Sequence, residues 1–260
     1  MQPAASQQLL GQTAVVTGSS GGIGRAMALE LAAAGADVLV HGRSRRQAAD
    51  SVAAEIAALG RQSHVILCDL ADGQQHAPLV EAAWQWRGGV DIWINNAGAD
   101  VLTGEPAKWP FERKLAELWQ VDVTATLRLS RMAGAHMRQR GSGVILNIGW
   151  DQAEQGMAGD SGELFAATKG AVMAFTRSLA QSLAPQVRVN CIAPGWIRTA
   201  WGENASSAWQ ERAQQECLLA RWGTPEDVAR TSRFLCSPDA AFITGQVWNV
   251  NGGWKRAEQK

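Results

Sequence analysis

Lys169 is the side chain of this 260-residue sequence best placed to take part in chemistry. It lies in the stretch 144–170, VILNIGWDQAEQGMAGDSGELFAATKG, among groups able to hold or pass a proton. Ser161 and Asp151 are candidates for general acid/base work on a ligand oxygen. Asp122, in WQVDVTAT, is a carboxylate that can pair with the lysine and hold it charged. Ser161 is four positions before Phe165 and shares its face if the helix begins early. Asp151 reads first as a solvated loop carboxylate, with a place in a cleft as its alternative. Asp160-Ser-Gly-Glu163 reads as a helix capping box, which gives both acids a structural role. A phenol is excluded, because the sequence contains no tyrosine and Phe165 stands one helical turn before Lys169.

A second constellation is suited to binding. The β-branched run TAVVT (13–17) leads into Gly18-Ser-Ser-Gly-Gly-Ile-Gly24, and an Ala/Leu-rich helical pattern follows to Ala34. Gly18, Gly22 and Gly24 can take backbone angles closed to other residues and leave no side chain between backbone and a pyrophosphate. A helix starting near Gly22 offers free N–H groups and its positive dipole end to phosphate. The next strand, DVLVH (37–41), ends in Gly42 and Arg43 where a carboxylate would select the ribose 2′-hydroxyl of NAD(H). A guanidinium there matches a phosphate monoester, so NADP(H) is preferred, with NAD(H) the alternative. Arg45 and Arg46 read as a solvated basic helix start.

The elements that position these residues alternate without a break. Helical patterns at 45–59, 74–87, 111–138, a segment carrying Lys169 to about 184, and 225–236 separate strands at 63–67, 90–94, 144–148, 187–192 and 246–250. No linker or low-complexity segment interrupts them. The rhythm predicts a single doubly wound α/β domain over 1–260, with its core at 10–253 and a mostly parallel seven-stranded sheet.

Composition narrows the function class. Lys+Arg and Asp+Glu are equal at 24 each, which offers nothing to nucleic acid or an anionic membrane. No apolar run is long enough to span a bilayer, and the start lacks the basic and apolar segments of a signal peptide. The four cysteines lie far apart with no metal-ligand spacing, so no metal is expected, and a cytoplasmic setting follows.

The pieces TGSSGGIG (17–24), CDL (68–70), NNAG (95–98), the lysine helix, VRVNCIAPGWIRT (187–199), GTPEDVA and ITGQVWNVNGG, in this order, resemble the short-chain dehydrogenase/reductase family. The likeness covers nearly the whole chain and is nearest to the 3-oxoacyl carrier-protein reductases. It implies a Rossmann-type fold and a nicotinamide cofactor. Gly18, Ser20, Gly22, Ile23 and Gly24 would line the pyrophosphate, and Arg43 the 2′-phosphate. Asp69 and Leu70 would meet the adenine, and Asn96, Ala97 and Gly98 the adenosine ribose. Lys169 would bond the nicotinamide ribose, with Pro194, Gly195, Ile197 and Thr199 around the nicotinamide. It also implies a homotetramer or homodimer, with the 111–138 and 162–184 helices packing across a twofold through Ala166, Ala167, Gly170, Ala171 and Ala174.

The same resemblance marks a departure. The family works with an asparagine, a serine, a tyrosine and a lysine, and here Asp122, Trp150 and Phe165 hold the first three positions. Of the four, Lys169 alone is retained. Three readings stand. One is an oxidoreductase with a nonstandard or weakened mechanism. Another is a non-catalytic NADP(H)-binding sensor, regulator or partner subunit. The third is an assembly scaffold, against which the glycine turn and Arg43 both argue. Trp196, Trp201 and Trp209 suggest an apolar or aromatic small-molecule ligand, or else a helix packing its aromatics inward.

Overall fold

The computed structural model describes residues 7–203 and 205–255. Short runs of β-branched and aliphatic residues form seven strands, fully or partly buried, that two layers of helices cover. In order these are β1 (Thr13–Val16), α1 (Gly22–Ala33), β2 (Asp37–Gly42), α2 (Arg46–Ala58), β3 (Ser63–Leu67), α3 (His76–Arg87) and β4 (Ile92–Asn95). The chain continues through α4 (Phe111–Leu118), a π-helical turn (Trp119–Thr124), α5 (Ala125–Arg140), β5 (Gly143–Ile148), α6 (Gln152–Gln155), α7 (Asp160–Leu183) and β6 (Val187–Pro194). It closes with α8 (Ala200–Glu203), α9 (Ser207–Glu216), α10 (Pro225–Cys236) and β7 (Val247–Val250). The sheet order is β3-β2-β1-β4-β5-β6-β7, and every neighbouring pair is parallel. The fold is thus a single Rossmann-like α/β domain, with a sheet that is wholly rather than mostly parallel.

Alternation along the strands divides the core in two. Ala14, Val16, Val38, Val40, Ile92 and Ile94 pack on one face, against α1, α2 and α10. Val15, Leu39, Trp93, Ile145 and Val189 pack on the other, against α3, α5 and α7. Both faces need apolar cover, which is why these strands read as near-continuous hydrophobic runs. The chain order reverses direction between β1 and β4, and the carboxyl ends of those strands open a crevice there.

A buried polar network ties together the elements on the β4 side of that crevice. Asn95 donates to Asn147 Oδ1 and Ser130 Oγ, both at 2.8 Å, and accepts from the Trp93 indole at 2.8 Å. Asn147 in turn donates to Thr176 Oγ1 at 2.9 Å. Each buried amide is satisfied, so the network fixes β4, β5, α5 and α7 relative to one another. Among the described residues no helix is long and apolar enough to cross a membrane.

Two expectations about helices need correction. The long 111–138 helix is divided by the π turn at Trp119–Thr124, which shifts the phase of the helix but leaves its period the same on either side. The capping box expected at Asp160-Ser-Gly-Glu163 is not formed. Helix α7 starts at Asp160 itself, with Gly159 (φ 94°) as its N-cap and no side-chain cap bond. Asp160 and Glu163 are therefore both inside the first turn, where the helix dipole favours acids. A capping box does open α10, where Thr224 accepts from the Asp227 N–H and Asp227 accepts from the Thr224 N–H.

Candidate functional site

After β1 the backbone turns sharply and is tied down from both sides. Thr17 Oγ1 accepts the N–H groups of Asn96 (2.9 Å) and Ala97 (3.0 Å), and the Asn96 amide donates to the Thr17 carbonyl at 2.9 Å. Gly18 has φ 67°, and a Cβ there would lie 2.8 Å from the Ala97 backbone. A Cβ on Gly24 would collide with the Gly18 carbonyl and the Asn96 amide. Gly22 differs: it has φ 54°, and a Cβ there would meet nothing nearer than Thr199 Cγ2 at 4.0 Å. Gly18 and Gly24 thus permit close packing, while Gly22 keeps the N-terminus of α1 open. That terminus carries no side-chain cap, so its leading N–H groups are not satisfied by a capping side chain.

His41 completes the turn. Gly18 N–H donates to His41 Nδ1 at 3.0 Å, Nε2 lies 3.1 Å from the Cys68 carbonyl, and Ser19 Oγ accepts the His41 N–H. Nδ1 must be unprotonated to accept, so Nε2 is the donor. Burial lowers the imidazole to about 4, which keeps this neutral tautomer at neutral pH. Sequence reading placed His41 only at a strand end. Its partner was nonetheless indicated, because β1 and β2 pair in register and bring His41 beside the turn.

Gly18, Ser20, Gly22, Ile23, Gly24, Arg43, Asp69, Leu70, Asn96, Ala97, Gly98 and Thr199 line one cleft of about 700 Å³. Arg43 is 68% exposed and ion-paired to Asp69 at 3.1 Å. Arg45 and Arg46 are both exposed at the start of α2 as expected; Arg46 pairs with Asp50, and Arg45 also borders the cleft. The turn after β2 brings its guanidinium toward the glycine loop, 3.9 Å from where a Cβ on Gly21 would lie.

Ile23 and Thr199 also line a second cavity of about 470 Å³, together with Trp150, Ser161, Phe165, Lys169, Pro194, Gly195 and Ile197. Because α7 begins at Asp160, Ser161, Phe165 and Lys169 descend one helix face into this space. Trp150 and Phe165 meet edge to face with ring centroids 6.2 Å apart. The far wall is Trp196 and Trp209, 5.4 Å apart, with the Arg212 guanidinium 5.0 Å from the Trp209 ring centre. Trp196 Nε1 donates to Glu216 at 2.9 Å. Leu102 and Met157, which the motifs did not indicate, complete the apolar lining. Trp201 belongs to α8, but its side chain lies outside the described residues.

Asp122 and Asp151 line neither cavity. Asp122 is buried on the π turn, and its Oδ2 is 2.7 Å from Lys169 Nζ, itself 12% exposed. Its Oδ1 accepts the Ala99 N–H at 2.8 Å. Asp151 corrects the reading of a solvated loop carboxylate. It is 4% exposed, accepts from the Asn251 amide at 3.0 Å, and backs onto Gly195 from behind the cavity wall. Burial raises its carboxyl to about 6, opposed by the Asn251 hydrogen bond. The partner that buries it is a hundred residues away in sequence, which no local pattern could reveal. All four cysteines are free and buried, and burial raises Cys68 to about 11 and Cys191 and Cys236 to about 12. These are inert thiols.

A family model described as Enoyl-(Acyl carrier protein) reductase matches residues 18–255. The 3-oxoacyl-[acyl-carrier-protein] reductase of Synechocystis sp. is 37% identical over 94% of this chain and 97% of its own length. The 7alpha-hydroxysteroid dehydrogenase of Escherichia coli is 34% identical over 95% of each chain. Among solved structures, a 7 alpha-hydroxysteroid dehydrogenase complexed with NADH and 7-oxo glycochenodeoxycholic acid superposes with a TM-score of 0.87, at 32% identity and covering 98% of both chains. A short chain dehydrogenase from Burkholderia cenocepacia in complex with NADP gives 0.85, at 32% identity over 95% of this chain and 98% of the other.

Proposed function

The chain belongs to the short-chain dehydrogenase/reductase family of oxidoreductases, and from that premise we propose that it binds NADP(H) and supports at most a weakened hydride transfer on a neutral, largely apolar carbonyl or alcohol. The observation that carries the reading is the pairing of an open glycine turn with a cavity that presents aromatic rings at Trp150 and Phe165. Gly22 and the uncapped start of α1 fit a pyrophosphate. Arg43, exposed beside Asp69, fits a 2′-phosphate. When bound, the nicotinamide supplies the hydride.

What the chain's own residues contribute in the second cavity is orientation and exclusion of water. Trp150, Phe165, Trp196 and Trp209 offer apolar faces to a ligand. Phe165 stands where the family holds a tyrosine, and the sequence has no tyrosine to replace it. Loss of a positioned general acid/base costs roughly 10²–10⁴ in rate, and loss of an oxyanion-type donor about 10²–10³. Ser161 and Lys169 are the remaining groups on that face able to donate to a ligand oxygen, through hydroxyl and ammonium respectively. Asp151, behind the wall, does not reach it.

A second reading, a non-catalytic NADP(H)-binding sensor, regulator or partner subunit, is favoured by the Trp150–Phe165 contact, which fills the place of both family hydroxyls with rings. Assembly as a homotetramer or homodimer through α7 is consistent with exposed Ala167 and Ala174 and the open space over Gly170.

The primary test is titration with NADPH and NADH, followed by energy transfer from tryptophan to the reduced nicotinamide. NADPH is expected to bind more tightly, and Arg43→Ala to weaken NADPH about tenfold while leaving NADH unchanged, as for one exposed charge-assisted contact. Absence of binding by either cofactor would overturn the reading.

A further inference from the structure

We propose that Asp122 determines which redox state of the cofactor the site prefers: by pairing with Lys169 it makes the reactive end of the cleft electrically neutral, and so admits the oxidised, positively charged nicotinamide more readily than a lone lysine would. This inference rests on the nucleotide reading above and concerns a different property of the same site.

Behind the wall, Arg212 and Glu216 pair with one another at 2.7 Å and the Asp151 carboxylate backs onto Gly195, so the charge that faces the cavity directly is that of Lys169 and its partner. Of the side chains lining the second cavity, Lys169 is the one that carries a formal charge, and the rest are apolar, aromatic or hydroxyl-bearing. Its side chain is 12% exposed, with the ammonium 2.7 Å from the carboxylate of an Asp122 side chain that is 1% exposed, so solvent screens neither strongly. The oxidised and reduced nicotinamides differ by one positive charge on the ring. In a site walled by tryptophan and phenylalanine, a unit charge several ångströms away is felt far more than in water. A lysine without its partner would repel the oxidised ring and leave the reduced ring almost unaffected.

Three features show that the carboxylate is built in rather than incidental. The π turn at Trp119–Thr124 carries Asp122 inward beneath the lysine. Gly98 leaves the space it needs, since a Cβ there would lie 2.9 Å from Asp122 Oδ2. Both carboxylate oxygens accept, one from Ala99 N–H and one from Lys169. An asparagine cannot do the same, because its amide nitrogen would face either the Ala99 N–H or the ammonium, donor against donor.

The test is calorimetric measurement of Kd for NADP⁺ and NADPH with wild type, Asp122→Asn and Asp122→Asn/Lys169→Met, with thermal unfolding as the control for folding. Asp122→Asn is expected to shift the NADP⁺:NADPH affinity ratio about tenfold toward the reduced form, the size of one partly screened charge. The double variant is neutral again and is expected to return to the wild-type ratio. NAD⁺ and NADH should show the same shift, because the 2′-phosphate is not involved. Should Asp122→Asn not fold, Lys169→Met alone leaves the carboxylate unpaired and should move the ratio toward the oxidised form. A ratio that Asp122→Asn leaves unchanged, while both cofactors still bind, overturns this proposal and leaves the nucleotide reading standing. A wild type that binds neither cofactor overturns both.

Discussion

The cleft over the glycine turn and the aromatic cavity beside it share two side chains, Ile23 and Thr199, yet they are built on different principles. The first is made largely of backbone: N–H groups at a helix start, glycines that clear a path, and an asparagine and a threonine that brace the turn. The second depends on individual side-chain atoms. Recognition of phosphate tolerates change at most positions, because dipoles and shape carry it. Acid/base chemistry rests on one or two proton-bearing atoms, and replacing a phenol by a phenyl ring removes it at almost no cost to packing. One fold can therefore keep its nucleotide site while the adjoining site changes character.

That contrast can be broken or sharpened experimentally. The largest effect is expected from Trp150→Ser combined with Phe165→Tyr. Introducing both hydroxyls should raise NADPH-dependent carbonyl reduction by about 10²–10⁴ over wild type, followed as loss of nicotinamide absorbance. Brisk turnover by the wild type would break the contrast outright. Next, Gly24→Ala should cost about 1–3 kcal/mol in denaturant unfolding by overpacking, and should weaken NADPH about 100-fold through loss of roughly two charge-assisted bonds. Binding that survives unchanged would mean the turn does not hold the phosphates.

The smallest effect concerns Asp151, which belongs to neither cavity. Its folded carboxyl is raised to about 6, above the ordinary 3.8. Its burial is therefore fully tolerated below about 4 and increasingly destabilising as pH rises through 6. Asp151→Asn should be more stable than wild type at pH 7 by on the order of 1–2 kcal/mol, and the difference should vanish near pH 4. A pH-independent difference between the two proteins would show that Asp151 is not desolvated as described.

Much of the scaffold was legible in the sequence because parallel strands covered on both faces must be short apolar runs, and these punctuate the helices clearly. The glycine turn was legible for a similar reason: few other sequences can make that bend between strand and helix. The π turn was not, since the segments on either side of it keep the same helical period and only their phase shifts. Asp151 was misread because its exposure depends on Asn251 and Gly195, which only the tertiary fold brings to it. The capping box at Thr224–Asp227 had its signal in plain view, in Thr-Pro-Glu-Asp ahead of an amphipathic segment, while Asp160-Ser-Gly-Glu163 had the same form without the geometry.

His41 gives the glycine turn an acid limit. With its folded imidazole lowered to about 4 from the ordinary 6.5, the stability it contributes is complete above 6.5 and drains away as pH falls toward 4. Protonation would also put a hydrogen on Nδ1 facing the Gly18 N–H, so proton uptake and the observed bend exclude one another. Asp151 has the opposite slope across much of the same range. Between about pH 4 and 6 the native chain therefore exchanges one proton linkage for another, and its overall stability profile there should be flatter than either group alone would make it.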